Sequence, residues 1–136
     1  MKNILILCAF VLISTSSFGQ IIPKGGLIGI HNFSLKLNGS TTEAEYLAAF
    51  QSKWIPVASK AYNCEIHVLK YLRGNSENKV GLLFIYKNAA ERDKLYTADG
   101  KLNEAGQAAY AKVKPVDAEL SKLGSTSGSF IDWGVQ

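Results

Sequence analysis

The segment from Val80 to Lys87 constrains the fold most, because it is apolar on both of its faces. As a β-strand it places Val80, Leu82, Phe84 and Tyr86 on one side, and Leu83 and Ile85 on the other. A sheet that contains such a strand needs an apolar cover over each of its faces.

Patterns of period two and of helical spacing predict the elements before this strand. Alternation predicts a first strand from Leu27 to Leu37, stopped by Asn38-Gly39. Thr42 and Glu45 have the spacing of a capping box, which begins a helix. The apolar stripe of that helix comprises Leu47, Phe50, Trp54, Ala58 and Ala61, and it ends at Tyr62-Asn63. Pro56 lies inside the stripe and is expected to kink or loosen the second half of the helix.

A second strand is predicted from Cys64 to Arg73, and its two faces are nearly as apolar as those of the third strand. The connection from Gly74 to Lys79 is short and polar, which predicts an antiparallel hairpin between these two strands. Asn88 and Glu91 then begin a second helix, predicted from Ala89 to Tyr96.

The C-terminal part of the chain predicts one long helix and one strand. A turn at Ala98-Asp99-Gly100 precedes a helix from Asn103 to Leu123, which is interrupted at Pro115 and ended by Gly124. Ser125 to Ser129 is expected to be a flexible polar loop. The final strand, Phe130 to Val135, carries Ile131, Trp133 and Val135 on one face.

The predicted order is β-α-β-β-α-β, an α+β, ferredoxin-like arrangement of a four-stranded antiparallel sheet with helices on one face. Helices cover only one side of such a sheet, so the second apolar side of the third strand needs another partner. A second copy of the chain that packs sheet on sheet is the simplest one, and we predict a homodimer.

The N-terminus has the pattern of a signal peptide, predicted over residues 1–19. Lys2 precedes an unbroken apolar run from Ile4 to Ile13, which is too short to span a bilayer, and small polar residues follow it. We therefore expect a single domain over residues 20–136 that is exported, either periplasmic or secreted, with no membrane span. Removal of this segment takes away Cys8 and leaves Cys64, which is expected to be a partly buried small side chain. The net charge of +4 is spread along the chain, so no nucleic-acid partner is predicted.

With these elements in order, the mature chain resembles the dimeric α+β-barrel superfamily. This group includes antibiotic-biosynthesis monooxygenase-like, stress-responsive barrel, EthD-like and NIPSNAP-like proteins. The residues that carry the resemblance are Leu27-Ile28-Gly29-Ile30, Phe50 with Trp54 and Pro56, the hairpin through Gly74, Glu91-Arg92-Asp93 and Asp132-Trp133. The resemblance implies a dimeric barrel, and in some members a haem site or an aromatic cavity without a cofactor. Asn32 and Trp54 match two haem-site residue types, but none of the predicted helices contains a histidine, so no haem is expected.

Histidines and aromatic residues are the candidates for a ligand site, predicted where the first helix meets the sheet. His31 and His67 are each a possible base or ligand contact, although partly buried structural histidines are more common. Phe33, Trp54, Tyr71, Phe84, Tyr86 and Trp133 are able to line a pocket, and at least half of them are expected to be core. The predicted ligand-binding set is His31, Phe33, Trp54, His67, Tyr71 and Tyr86.

No acid–base pair, phosphate loop, metal-ligand cluster or nucleophile motif is evident, so neither a catalytic residue nor a metal or cofactor is predicted. The favoured function is non-catalytic binding of a small apolar or aromatic molecule by an exported homodimer. The alternative is a cofactor-independent monooxygenase or isomerase that acts on a phenolic or polycyclic substrate.

Overall fold

A computed structural model describes residues 22–73 and 80–136. Within these ranges four strands and four α-helices follow one another in the predicted order. Their bounds are β1 (Leu27–Leu37), α1 (Glu43–Ala49), a π-helical turn (Phe50–Trp54), α2 (Ile55–Tyr62), β2 (Glu65–Lys70), β3 (Val80–Tyr86), α3 (Ala89–Asp93), α4 (Glu104–Leu120) and β4 (Gly124–Gly134). The predicted signal peptide and the connection at 74–79 lie outside the described residues.

The strands form one sheet in the order β2-β3-β1-β4, and every neighbouring pair is antiparallel. This is the strand order of the ferredoxin-like fold, and the predicted fold class is confirmed. The doubly apolar β3 lies inside the sheet, between β2 and β1, as its sequence requires.

The helices pack on the sheet face that carries the inward residues of β1 and β3. Phe33, Leu82, Phe84 and Tyr86 are all less than a tenth exposed there, with Val113 of α4 and Ala58 of α2 packed over them. No helix in residues 22–73 and 80–136 is long and apolar enough to cross a membrane.

The other face of the sheet, which we call the open face, carries a block of large apolar side chains. The register sets Ile28 between Ile85 and Trp133, and in the next row Ile30 between Leu83 and Ile131. We name these six residues the open-face patch. Ile131 is 52% exposed and Trp133 is 58% exposed, so this part of the described chain has no cover.

The first helix keeps its predicted cap but accommodates its proline in an unexpected way. The Thr42 side chain accepts from the Glu45 backbone N–H, and the Glu45 carboxylate accepts from the Thr42 backbone N–H, which confirms the capping box. Pro56 does not loosen the second half of the helix. The π-helical turn places Pro56 at the start of α2, where a missing N–H costs nothing, and the Ile55 N–H bonds to the Phe50 carbonyl. Helical structure therefore continues to Tyr62.

The prediction of a polar loop over Ser125 to Ser129 is wrong, since these residues belong to β4. This strand pairs with β1 along its whole length, from Leu37 opposite Gly124 to Leu27 opposite Gly134. Serine and glycine suit a loop by local preference, but the hydrogen-bonding edge of an 11-residue β1 decides the conformation here. The long helix also continues through Pro115 without interruption.

Candidate functional site

A cavity of about 480 Å³ lies between the sheet and the helices. Its floor is formed by inward residues of β1 and β3, its roof by α1, the π-helical turn and α2, and one side by α4 and β4. The cavity is open to solvent. It lies at the junction of the first helix and the sheet, where the sequence analysis predicts a pocket. Its volume lies within the range of small-molecule sites in proteins.

Aromatic rings form the roof of the cavity. Tyr46, Phe50, Trp54 and Tyr62 recur at multiples of four residues, so one helical face presents all four to the sheet. The rings of Phe50 and Trp54 stack with their centroids 4.6 Å apart, and Phe50 also lies 6.4 Å from Phe33 on the floor. This wall is suited to a flat apolar ligand.

Two polar contacts fix the roof to α4. The indole Nε1 of Trp54 donates a hydrogen bond of 2.5 Å to Oδ1 of Asp117. Nearby at the surface, Lys53 and Glu119 form an ion pair of 2.9 Å. The Trp54 ring is therefore held in one orientation at the edge of the cavity.

The wall formed by β4 is built from small side chains. The inward positions opposite Leu37, Leu35 and Phe33 are Gly124, Thr126 and Gly128. A large side chain at Thr126 would take up space in the cavity, whereas a Cβ at Gly124 or Gly128 would meet the backbone of β1. The small residues that suggested a loop thus create the opening of the cavity.

Charged and titratable groups gather at the opposite end of the cavity, around His31. The Arg92 guanidinium donates to Oδ2 of Asp132 at 3.0 Å and lies 4.6 Å from the centre of the Tyr96 ring. The side chain of Arg92 is only 12% exposed. These residues line a small cleft that shares His31, Tyr96 and Phe130 with the main cavity. We call His31, Arg92, Tyr96 and Asp132 the polar end.

Buried hydroxyl and thiol groups continue the polar end toward β2. The side chains of Tyr86, Tyr96 and Cys64 lie near one another, and burial raises the pKa of both tyrosines. Burial also raises the pKa of Cys64 to about 11, so its thiol stays protonated at neutral pH. Cys64 is a partly buried free cysteine.

The six residues of the predicted ligand-binding set do not come together. His31, Phe33 and Trp54 line the cavity, and Tyr86 lines the adjoining cleft. The other two residues of the set, His67 and Tyr71, line neither the cavity nor the cleft. His67 projects from the open face, where it lies 3.5 Å from Glu65. Tyr71 follows β2, outside the described cavity lining, and its hydroxyl is buried without a hydrogen-bond partner in the described chain.

The polar end was missed because its members come from separate elements. Arg92 belongs to α3 and Tyr96 follows it, whereas Asp132 belongs to β4. Period two did offer one signal, since Phe130 and Asp132 share the strand face opposite to Ile131 and Trp133. That face turns inward, toward His31.

The sequence matches no protein-family model and no curated protein. Three solved structures that are similar to this chain each share a low sequence identity with it. One is a dimeric protein of unknown function and ferredoxin-like fold from Bacteroides fragilis, with 16% identity, coverage of 82% of this chain and 97% of that chain, and a TM-score of 0.44. A second is SnoaB, a cofactor-independent oxygenase from Streptomyces nogalater, in a mutant form, with 12% identity, coverage of 79% and 91%, and a TM-score of 0.45.

The third is an EthD-like protein from Ralstonia eutropha, with 12% identity, coverage of 82% of this chain and 93% of that chain, and a TM-score of 0.48. The strand order β2-β3-β1-β4 establishes the fold independently of these similarities. The strand order alone therefore confirms the ferredoxin-like fold that the resemblance implied.

Proposed function

We propose that this protein is exported and binds a small aromatic molecule in the cavity between its sheet and its helices. The observation that carries the proposal is the cavity of about 480 Å³ with its roof of stacked rings. Apolar walls with a few polar groups at one end are typical of small-molecule sites. Trp54 supplies a built-in reporter, because its ring lines the cavity.

Binding of 4-nitroanisole, an aromatic ether that carries no acidic proton, tests this proposal. We expect saturable quenching of Trp54 fluorescence in a Trp133→Phe background, which removes the second tryptophan. Thr126→Leu extends a side chain into the cavity and should weaken binding about tenfold or more. Lys36→Leu is the matched control, because Lys36 lies opposite Ser125 on the open face, outside the cavity lining, and its replacement should leave the affinity unchanged. Absence of saturable quenching in the parent protein would contradict the proposal.

We also propose that two copies associate through their open faces. The open-face patch combines six large apolar side chains on three adjacent strands, and a second sheet packed against it would remove its exposed members, above all Ile131 and Trp133, from water. A two-fold arrangement brings the same patch of each copy together, so one surface serves both partners.

Replacement of Ile131 by lysine should convert this dimer to a monomer, because it sets a charge in the middle of an apolar interface. Sedimentation velocity should show about twice the monomer mass for the parent protein and the monomer mass for the variant. Ser125→Lys is the control, since Ser125 lies on the same strand and face but opposite Lys36, away from the open-face patch. A parent protein that is monomeric at micromolar concentration would exclude this association.

The cofactor-independent enzyme remains the second candidate, and the polar end is the observation that favours it. His31 and Asp132 line the same cleft there, beside a cavity of suitable size for a phenolic ring.

A further inference from the structure

His31 lies on the floor of the cavity, where its imidazole packs between aromatic rings. The imidazole is held between two aromatic rings, with centroid distances of 4.4 Å to Phe84 and 5.4 Å to Phe130. Neither nitrogen is hydrogen-bonded to another residue within the described ranges. The ring is therefore oriented by packing, while its hydrogen-bonding capacity is left for a ligand in the cavity.

Asp132 lies close to one edge of this imidazole because Gly29, between them, has no side chain. The point where a Cβ would stand on Gly29 is 3.0 Å from Oδ1 of Asp132 and 3.8 Å from Nε2 of His31. Arg92 holds the other carboxylate oxygen, Oδ2, at 3.0 Å. The carboxylate is thus fixed by Arg92 with its remaining oxygen toward the histidine.

The charges around the cavity set the state of His31. Burial lowers its pKa, and the negative charge of Asp132 opposes this shift by a smaller amount, so the imidazole is neutral at pH 7 and has a lone pair. The other titratable and charged groups that face the cavity and its polar end are Arg92, Tyr86 and Tyr96 nearby, and Tyr46, Tyr62 and Asp117 across it. Burial raises the pKa of all four tyrosines, so each keeps its proton and is able to donate a hydrogen bond.

We propose that His31 accepts the proton of a phenol or enol bound in the cavity, with Asp132 as its positioning residue. The proposal rests on the binding of an aromatic molecule argued above. In this step the ligand O–H bond breaks, its electron pair stays on oxygen, and the proton bonds to an imidazole nitrogen. The imidazolium then lies between the phenolate or enolate and the Asp132 carboxylate. The negative charge of Asp132 favours the imidazolium, and the imidazolium favours the phenolate or enolate, which offsets part of the cost of burial.

The pair 4-nitrophenol and 4-nitroanisole separates proton acceptance from binding, because only the phenol carries an acidic proton. The phenolate of 4-nitrophenol has its own absorption band. At about one pH unit below the pKa of free 4-nitrophenol, we expect the bound ligand to absorb as the phenolate, although most of the free ligand is protonated. The phenol should also bind about tenfold more tightly than the ether.

Two variants test the roles of the individual residues. His31→Gln should bind 4-nitrophenol only in its neutral form and should lose the tenfold preference for 4-nitrophenol over 4-nitroanisole. Asp132→Asn lowers the basicity of His31, so a smaller fraction of the bound ligand should absorb as the phenolate at the same pH. A merely structural role of Asp132 would leave that fraction unchanged. Circular dichroism confirms that each variant is folded, and Asp93→Asn provides an exposed matched control.

The two proposals fail in different ways. Neutral 4-nitrophenol that binds no better than 4-nitroanisole would overturn proton acceptance by His31 and leave the binding function standing. Failure of both compounds to bind would overturn both proposals. A bound phenolate that persists in His31→Gln would assign proton acceptance to another group and exclude His31.

Discussion

Gly128→Val is expected to destabilise the protein by more than about 3 kcal/mol. A Cβ at this position would collide with the backbone carbonyl oxygen of Asn32 on β1, and backbone atoms have little freedom to move away. The clash falls in the middle of the pairing between β1 and β4, where Gly128 lies opposite Phe33. Urea denaturation followed by circular dichroism measures the change.

Thr126→Val is the matched control for this variant. It changes the same inward face of the same strand, keeps the shape of the side chain, and should alter the free energy of unfolding by less than about 0.5 kcal/mol. A Gly128→Val variant as stable as this control would mean that β4 does not approach β1 as closely as described. The cavity opening, which depends on that strand, would then need another explanation.

Asp132→Ala is expected to cost about 2–3 kcal/mol, because it leaves the nearly buried guanidinium of Arg92 without its closest carboxylate. Arg92→Leu should cost less, since the abandoned Asp132 side chain is 27% exposed and reaches water. The double variant should be more stable than Asp132→Ala alone, which makes the coupling measurable by a double-mutant cycle.

Asp93→Ala is the control for this second prediction. Asp93 also contacts Arg92, at 3.4 Å, but its side chain is 64% exposed, and its loss should change stability by less than about 0.5 kcal/mol. Equal effects of the Asp93 and Asp132 variants in urea denaturation would contradict a special role of the Arg92–Asp132 pair.

Local patterns in the sequence determined most of the elements. Period two predicted β1 and the two sides of β3, and the spacing of Thr42 and Glu45 predicted the beginning of the first helix. Trp54 on the apolar stripe located the cavity, because a large ring on a helix that packs on a sheet has to lie between the two layers. These features depend on residues close together in the chain.

The sequence also separated the side chains of each strand into two sets without showing which set meets the helices. Period two placed His67 with Glu65 on one side of β2, and only the packed sheet shows that this side is the open face. His31 of β1, by contrast, faces the helices and the cavity. The sequence could not assign the two histidines to different faces of the sheet, because side chains alternate in the same way whichever face of a strand meets the helices.

Only the tertiary structure decided the conformation of β4 and the composition of the polar end. Ser125 to Ser129 have loop-like local preferences, but pairing with the free edge of β1 satisfies their backbone groups and makes them a strand. His31, Arg92 and Asp132 are far apart in the sequence and meet because β1 lies beside β4 and α3 packs close to their ends. Contacts between distant segments depend on the arrangement of whole elements, whereas the periodicity of a sequence records only the environment of each element by itself.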